Sequence, residues 1–299
     1  VTDSTDLGKP PIAVDHFEVM TSVGRLTIYV TGVGTPLLLI HSINAAASAA
    51  EVAPLIERYE SSRQVFSLDL PGYGLSERSD RIYTPRMMTD AILHVAGLIR
   101  DRNTNRIDAL ALSLSCEFLA RAASEQPELF RSLALVSPTG FSSRKVLRGA
   151  PGTTRFKPWL YALLNGPGSG WGRAIFRQLT RPGVIRYFLR RTWGSSQIDE
   201  RLWRADIRMA QWPGAQYAPL YFLSGGLFSA DIQTIYEQLR MPVWLCHGTR
   251  GDFTDYGRAD LVAQRDNWTV TVFETGALPY FEVPDAFSVA YDAFLRVTG

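Results

Sequence analysis

Ile107-Asp108-Ala109-Leu110-Ala111-Leu112-Ser113-Leu114-Ser115-Cys116 passes from strand character straight into a helical pattern, with Ser113 at the turn. A serine on so tight a strand-to-helix corner has a strained backbone, and bulky neighbours two positions away would collide. Ala111 and Ser115 are small enough for both flanks, although A-L-S-L-S departs from G-x-S-x-G, where glycines fill them. Taken alone, such a serine is most simply a helix N-cap. The surrounding chain decides whether it is more.

Upstream and downstream, short apolar runs alternate with helical patterns, as in βαβ units around a parallel sheet. Strands are expected at 16–21, 25–31, 36–41, 64–69, 107–112, 132–136, 243–247 and 269–274, and helices at 49–59, 86–100, 115–124 and 285–297. Between them, residues 141–235 differ in character. This stretch holds 14 Lys+Arg against 4 Asp+Glu and five of the seven tryptophans, with no strand-like alternation. Gly166-Pro167-Gly168 and Arg181-Pro182-Gly183 punctuate it. The expected organisation is an α/β core of residues 1–140 and 236–299 carrying a helical cap, or lid, at 141–235.

Composition removes several classes. Hydrophobic residues make up 46% and charged residues 20%, which excludes a disordered chain. A formal charge of +2 gives no nucleic-acid signal. The longest apolar runs are strand-length, so no membrane span is expected. Cys116 and Cys246 both lie in apolar segments, against a disulfide framework. The polar, acidic start of the chain has no secretory pattern, and a cytoplasmic protein is expected. With no dinucleotide fingerprint, P-loop or Cys/His ligand spacing, neither cofactor nor metal is expected.

Several segments carry a resemblance, in order along the chain. They are Leu37-Leu38-Leu39-Ile40-His41, Asp69-Leu70-Pro71-Gly72-Tyr73-Gly74-Leu75-Ser76, the Ser113 turn, the stretch around Glu128, Pro242-Val243-Trp244-Leu245-Cys246-His247-Gly248, Gly276-Ala277-Leu278-Pro279 and Glu282-Val283-Pro284. Together they resemble the α/β-hydrolase family over nearly the whole chain, from about residue 17 to residue 295. The resemblance implies a mostly parallel central sheet flanked by helices, with an inserted helical cap. It also implies a serine hydrolase, esterase-like, with Ser113 as nucleophile. The Leu114 N–H and, from the loop after His41, the Ile43 N–H would form the oxyanion hole. Ser42 stands where the family usually has glycine. The acid would be Asp252, one position later than the usual G-x-x-D spacing, with Asp255 as second choice.

The family's G-H-x-P reads Gly276-Ala277-Leu278-Pro279, so the catalytic base is missing from its place. Alanine accepts no proton, and the ordinary relay from serine to histidine to acid is closed to it. Tyr280, three residues on, is a phenol with an ordinary pKa of about 10 and a poor base at neutral pH. For each of the four histidines a structural role is the first reading, and His247, close in sequence to Asp252, is the alternative for a relocated base. His41 is expected to support its turn, and with Ser42 and Tyr280 to border the substrate. A His→Ala replacement made to trap a ligand would explain Ala277 alone. The departures at Ala111, Ser115, Ser42 and the acid spacing favour divergence.

The expected function is hydrolysis of a carboxylic ester or related acyl compound, lost or altered because of Ala277. The alternatives are a binding protein on the same fold and a lyase-like enzyme. The aromatic wealth of 141–235 points to an apolar or aromatic acyl small molecule as ligand. Arg190, Arg191, Arg201, Arg204 and Arg208 are candidates for facing a carboxylate or phosphate on it. Oligomeric state has no signature in the sequence.

Overall fold

Alternation along the inner strands sends successive side chains to opposite apolar layers. Leu38, Ile40, Ala109, Ala111, Leu133, Leu135 and Leu245 enter one layer, and Leu37, Leu39, Leu110, Leu112, Ala134, Trp244 and Cys246 the other. Strands buried on both faces belong to a sheet covered by helices on either side. The computed structural model describes residues 10–165 and 170–297 and has this arrangement. Its strands are β1 (His16–Thr21), β2 (Gly24–Thr31), β3 (Pro36–Ile40), β4 (Gln64–Asp69), β5 (Ile107–Leu112), β6 (Phe130–Val136), β7 (Val243–Gly248) and β8 (Trp268–Phe273). The sheet order is β1-β2-β4-β3-β5-β6-β7-β8. β2 pairs antiparallel with β1 and β4, and every other pairing is parallel.

The helices are α1 (Ala53–Tyr59), α2 (Pro85–Arg102), α3 (Ser115–Glu125), α4 (Pro158–Asn165), α5 (Gly170–Leu179), α6 (Pro182–Trp193), α7 (Glu200–Ala210), α8 (Tyr217–Leu223), α9 (Ile232–Gln238), α10 (Asp260–Ala263), α11 (Pro279–Glu282) and α12 (Pro284–Val297). α1 and α12 contribute to one layer, and α2, α3 and α9 to the other. The strand expectations agree with the structure to within about two residues at their ends. The helix expected at 49–59 is split into a 3-10 turn, Ala49–Val52, followed by α1. Pro54 has no N–H to continue the ladder, which accounts for the break.

Helices α4 to α8 are inserted between β6 and β7, and α9 then returns the chain to α3. The two ends of the insertion are zipped together. Gly149 N–H donates to Ala230 O (2.8 Å), Ala230 N–H to Thr153 O (2.9 Å) and Arg155 N–H to Phe228 O (2.9 Å). Gly166, Pro167 and Gly168 lie outside the described residues.

Strand order reverses direction at β3 and β5, and a crevice opens beyond the carboxyl ends of strands at such a point. Ser113 stands there. On the neighbouring strand, Asp69 holds the β4 loop by accepting from Ala49 N–H (2.8 Å), Leu75 N–H (2.8 Å) and Tyr29 Oη (2.7 Å). A Cβ at Gly74 would fall 1.8 Å from the Asp69 carboxyl carbon, which is why glycine is needed there.

Candidate active site

Ser113 has φ +51°, a left-handed conformation uncommon outside glycine. Strain of this kind costs about 1–3 kcal/mol and persists only where the surroundings enforce it. Here Ser113 N–H donates to Val136 O (2.9 Å), Cys116 N–H donates to Ser113 O (3.2 Å), and Ala111 and Ser115 are wholly buried at the flanks. The Ser113 hydroxyl has no hydrogen-bond partner among the described residues. Leu114 caps α3, so its N–H lies at the positive end of that helix.

The loop after β3 supplies the other wall. Since Ile40 pairs with Ala111, Ser42 and Ser113 stand two residues beyond the same rung. Glu51, buried in the 3-10 turn, fixes this loop by accepting from Ser42 N–H (2.6 Å), Ser42 Oγ (3.0 Å) and Asn44 Nδ2 (2.6 Å). Ile43 and Leu114 are buried, yet neither N–H has a partner among the described residues. Buried backbone N–H groups are nearly always paired, so these two open ones, one of them on the residue after Ser113, stand out.

Two of the residues expected to border the substrate are committed elsewhere. His41 is wholly buried, with Leu70 N–H donating to its Nε2 (3.0 Å) and its Nδ1 on Ser42 O (2.6 Å). Neither ring nitrogen is left for a ligand. The Tyr280 hydroxyl donates to Glu51 O (2.7 Å), tying α11 to the 3-10 turn, and burial pushes its pKa well up.

The β7 and β8 loops are organised differently. Ala277 is buried, its N–H donates to Thr192 O (3.0 Å), and its carbonyl accepts from Ser137 Oγ (2.7 Å). A Cβ at Gly276 would lie 2.5 Å from Trp193 Cα, so the end of α6 is pressed onto this loop. Asp252 is exposed, receives Arg191 Nε at 2.6 Å, and its own N–H donates to Arg191 O (3.1 Å). Asp255 accepts from Ser142 Oγ (2.6 Å) and Ser143 N–H (2.9 Å), which hold its carboxyl well below the usual range. The structure therefore engages Asp252 with α6 and Asp255 with the segment after β6, and no side-chain hydrogen bond joins either to Ser113.

His247 lies closer in. Leu112, Val136 and Cys246 are successive rung partners, so Ser113, Ser137 and His247 each follow by one residue. Two strand spacings of about 4.8 Å put roughly 10 Å between the first and the last. His247 Nδ1 lies on Gly248 O (2.9 Å), and its ring stacks on Tyr256 with centroids 3.9 Å apart. Burial lowers its pKa, which favours the neutral imidazole.

The arginine expectations separate as well. Arg191 pairs with Asp252 and Arg201 with Glu57, Arg190 and Arg204 are exposed, and the buried Arg208 Nε has no partner among the described residues. Of the five tryptophans, Trp159 and Trp171 are exposed and Trp193 is buried against Phe281.

Three carboxyl groups escaped the sequence reading. Glu51 was visible as the lone acid in an alanine-rich stretch. Asp206 falls among Leu202, Ala205 and Met209 on the apolar side of α7, and burial with Glu51 nearby raises its pKa far up. Glu117, one turn into α3, receives Thr139 Oγ1 and Ser229 N–H (2.8 Å). Burial pushes it up to about 7.

Among the described residues, no helix is long and apolar enough to cross a membrane and no His/Cys/Asp/Glu group could hold a metal ion. Among solved structures, a serine hydrolase involved in carbazole degradation superposes with a TM-score of 0.72 at 15% identity, over 95% of this chain and 100% of that one. The N-formylmaleamic acid deformylase of Pseudomonas putida S16 does so with a TM-score of 0.63 at 23% identity, over 93% and 100%. At such identities the likeness is one of fold. A curated relative, 2-(acetamidomethylene)succinate hydrolase of Mesorhizobium japonicum, is 30% identical over 139 residues, 46% of this chain. That match spans only 48% of the relative's length. The model of the alpha/beta hydrolase family matches residues 37–290, and with the sheet order and the Ser113 turn already described, the chain belongs to that family.

Proposed function

We propose that the chain hydrolyses a small acyl compound, an ester or an amide, with Ser113 as nucleophile. The observation that carries this reading is the strained Ser113 turn together with two unpartnered N–H groups, Leu114 next to it and Ile43 on the adjoining β3 loop. The Ser113 Oγ would attack the acyl carbon, and the two N–H groups would receive the oxygen as it becomes negative. Residues 141–235 would serve as the lid, and apolar side chains beneath it would favour an apolar or aromatic acyl group. Amides enter the reading because both named substrates among the similar proteins, acetamidomethylene succinate and formylmaleamic acid, carry an acylated nitrogen.

Ala277 sets the expected rate. An oxyanion hole and binding alone retain about 10³–10⁴ over water, whereas loss of a triad serine or histidine costs about 10⁶ in kcat. The chain is therefore a slow hydrolase of activated acyl groups unless a second base serves it. His247, neutral and two strands from Ser113, is that second base in this reading.

A binding protein without turnover is the second reading. It is favoured by Asp252 pairing with Arg191 and by Thr192 O occupying the Ala277 N–H. Labelling by a fluorophosphonate, together with turnover of 4-nitrophenyl acetate, separates the two. The hydrolase reading expects both in the chain as it stands and neither in Ser113→Ala. Equal behaviour of the two proteins would overturn it.

A further inference from the structure

Four hydrogen-bond donors gathered around the end of β3 have no partner among the described residues. Two are the Ile43 and Leu114 N–H groups. The third is the Tyr73 hydroxyl, in the loop after β4, on a residue 2% exposed. The fourth belongs to Asp206 of α7, 3% exposed, whose Oδ1 bonds to nothing. Buried polar atoms left this way are rare, because each has given up water without replacement. Tyr73 and Asp206 both interact with Glu51, which anchors the loop carrying Ile43, and this shared neighbour brings the four groups into one region.

Asp206 counts as a donor for a physical reason. It faces Glu51 across the contact between α7 and the 3-10 turn, and two buried carboxylates so placed cannot both ionise. Glu51 receives three hydrogen bonds, from Ser42 N–H, Ser42 Oγ and Asn44 Nδ2, whereas Asp206 receives none. The proton therefore resides on Asp206. Burial likewise keeps the Tyr73 phenol protonated. The other charged or titratable groups that face this cluster are His41, edge-on to Tyr73, Tyr280 on the Glu51 carbonyl, and Tyr83 and Arg78 beside Tyr73. Arg78 donates to Met209 O of α7 (2.8 Å), so it braces the same helix.

All four open positions donate, so what fills them must accept. We propose that Tyr73 and Asp206 form a donor subsite beside the oxyanion hole, holding a second, uncharged carbonyl oxygen of the acyl substrate. Glu51 sets the preference for an uncharged oxygen, because a carboxylate there would meet its buried negative charge. The inference rests on the Ser113 reading for which carbonyl lies at Ile43 and Leu114, but binding tests it without turnover.

The test is calorimetric binding to the Ser113→Ala protein of three matched esters: methyl pentanoate, methyl 4-oxopentanoate and monomethyl succinate. The keto ester is expected to bind about tenfold tighter than methyl pentanoate, the effect of one well-made hydrogen bond. Asp206→Leu and Tyr73→Phe should each remove most of that preference. Asp206→Asn, which keeps an N–H donor of similar size, should retain it. Raising the pH through the Asp206 titration should weaken keto-ester binding with Asp206 present and leave the Asn variant unaffected. Should Asp206→Leu fail to fold, Tyr73→Phe and the pH comparison decide. Equal binding of keto ester and pentanoate, binding of neither at millimolar concentration, or a keto preference surviving Tyr73→Phe would overturn the subsite. A tenfold preference for succinate would overturn its uncharged character. Loss of Ser113-dependent hydrolysis with the keto preference intact would remove the catalytic reading and leave the subsite standing.

Discussion

The β3–β5 side of the crevice and the β7–β8 side have been treated differently by the sequence. On the first lie a strained Ser113, small flanks, and two open N–H groups, Leu114 at the start of α3 and Ile43 on the loop anchored by Glu51, the parts that the proposed oxyanion site needs. On the second, the positions that the family resemblance assigns to base and acid are a buried alanine and an ion-paired aspartate, which leaves His247 as the proposed base. Ala277 is bonded through its backbone to Thr192 and Ser137, and Asp252 is held by Arg191. Backbone geometry and proton transfer are separable assets, and the two sides of this sheet let each be tested alone.

The most direct way to break the contrast is Ala277→His. If only the base is missing, turnover of 4-nitrophenyl acetate should rise by about 10²–10⁴, the usual worth of a positioned general base. The gain should vanish in the Ser113→Ala background. No gain would mean that the packing of Trp193 on Gly276 leaves the new imidazole no productive position. Next in size, Glu51→Ala should lower kcat by about 10² with a smaller change in KM, as expected when an oxyanion donor is displaced. A change in KM alone would show that Glu51 serves binding and not the oxyanion.

A third test measures stability. Glu117 holds its proton up to about pH 7 in the folded chain, against 4.5 ordinarily. Folded protein then binds more protons than unfolded protein across that interval, so stability falls as the pH rises from 4.5 to 7. The shift corresponds to about 3 kcal/mol. Glu117→Gln should flatten this slope, read from urea midpoints at pH 5 and pH 7.5. An unchanged slope would place the titration elsewhere. Smallest of all, Asp252→Asn should alter turnover by less than about twofold, since an exposed ion pair contributes little. A hundredfold loss would restore Asp252 as the acid and draw the two sides of the crevice back together.

Much of the fold was legible because it rests on local pattern. Short apolar runs between helical patterns marked the eight strands, and Pro54 explains the one helix that splits. The tight turn at Ser113 was legible through the sizes of Ala111 and Ser115. Glu51, Asp206 and Tyr73 were not, because their importance lies in what each fails to touch, which only the assembled structure reveals. The slipped spacing at Asp252 marked a departure from the family pattern, and in the structure that loop meets α6. What spacing could not convey is that Arg191 waits there.

The zipped base of the 141–235 insertion has a consequence for how such a chain changes over time. Residues 149–155 and 228–230 run side by side, so nearly eighty residues leave the core and return at almost one point. The host domain sees a short closed bridge whatever lies beyond it, and the entropy of loop closure grows only as the logarithm of the length enclosed. Helices there can be lengthened, exchanged or recharged with little cost to the sheet below. A chimera joining the core to another hydrolase's insertion at this bridge should fold, and its ligand preference should travel with the graft.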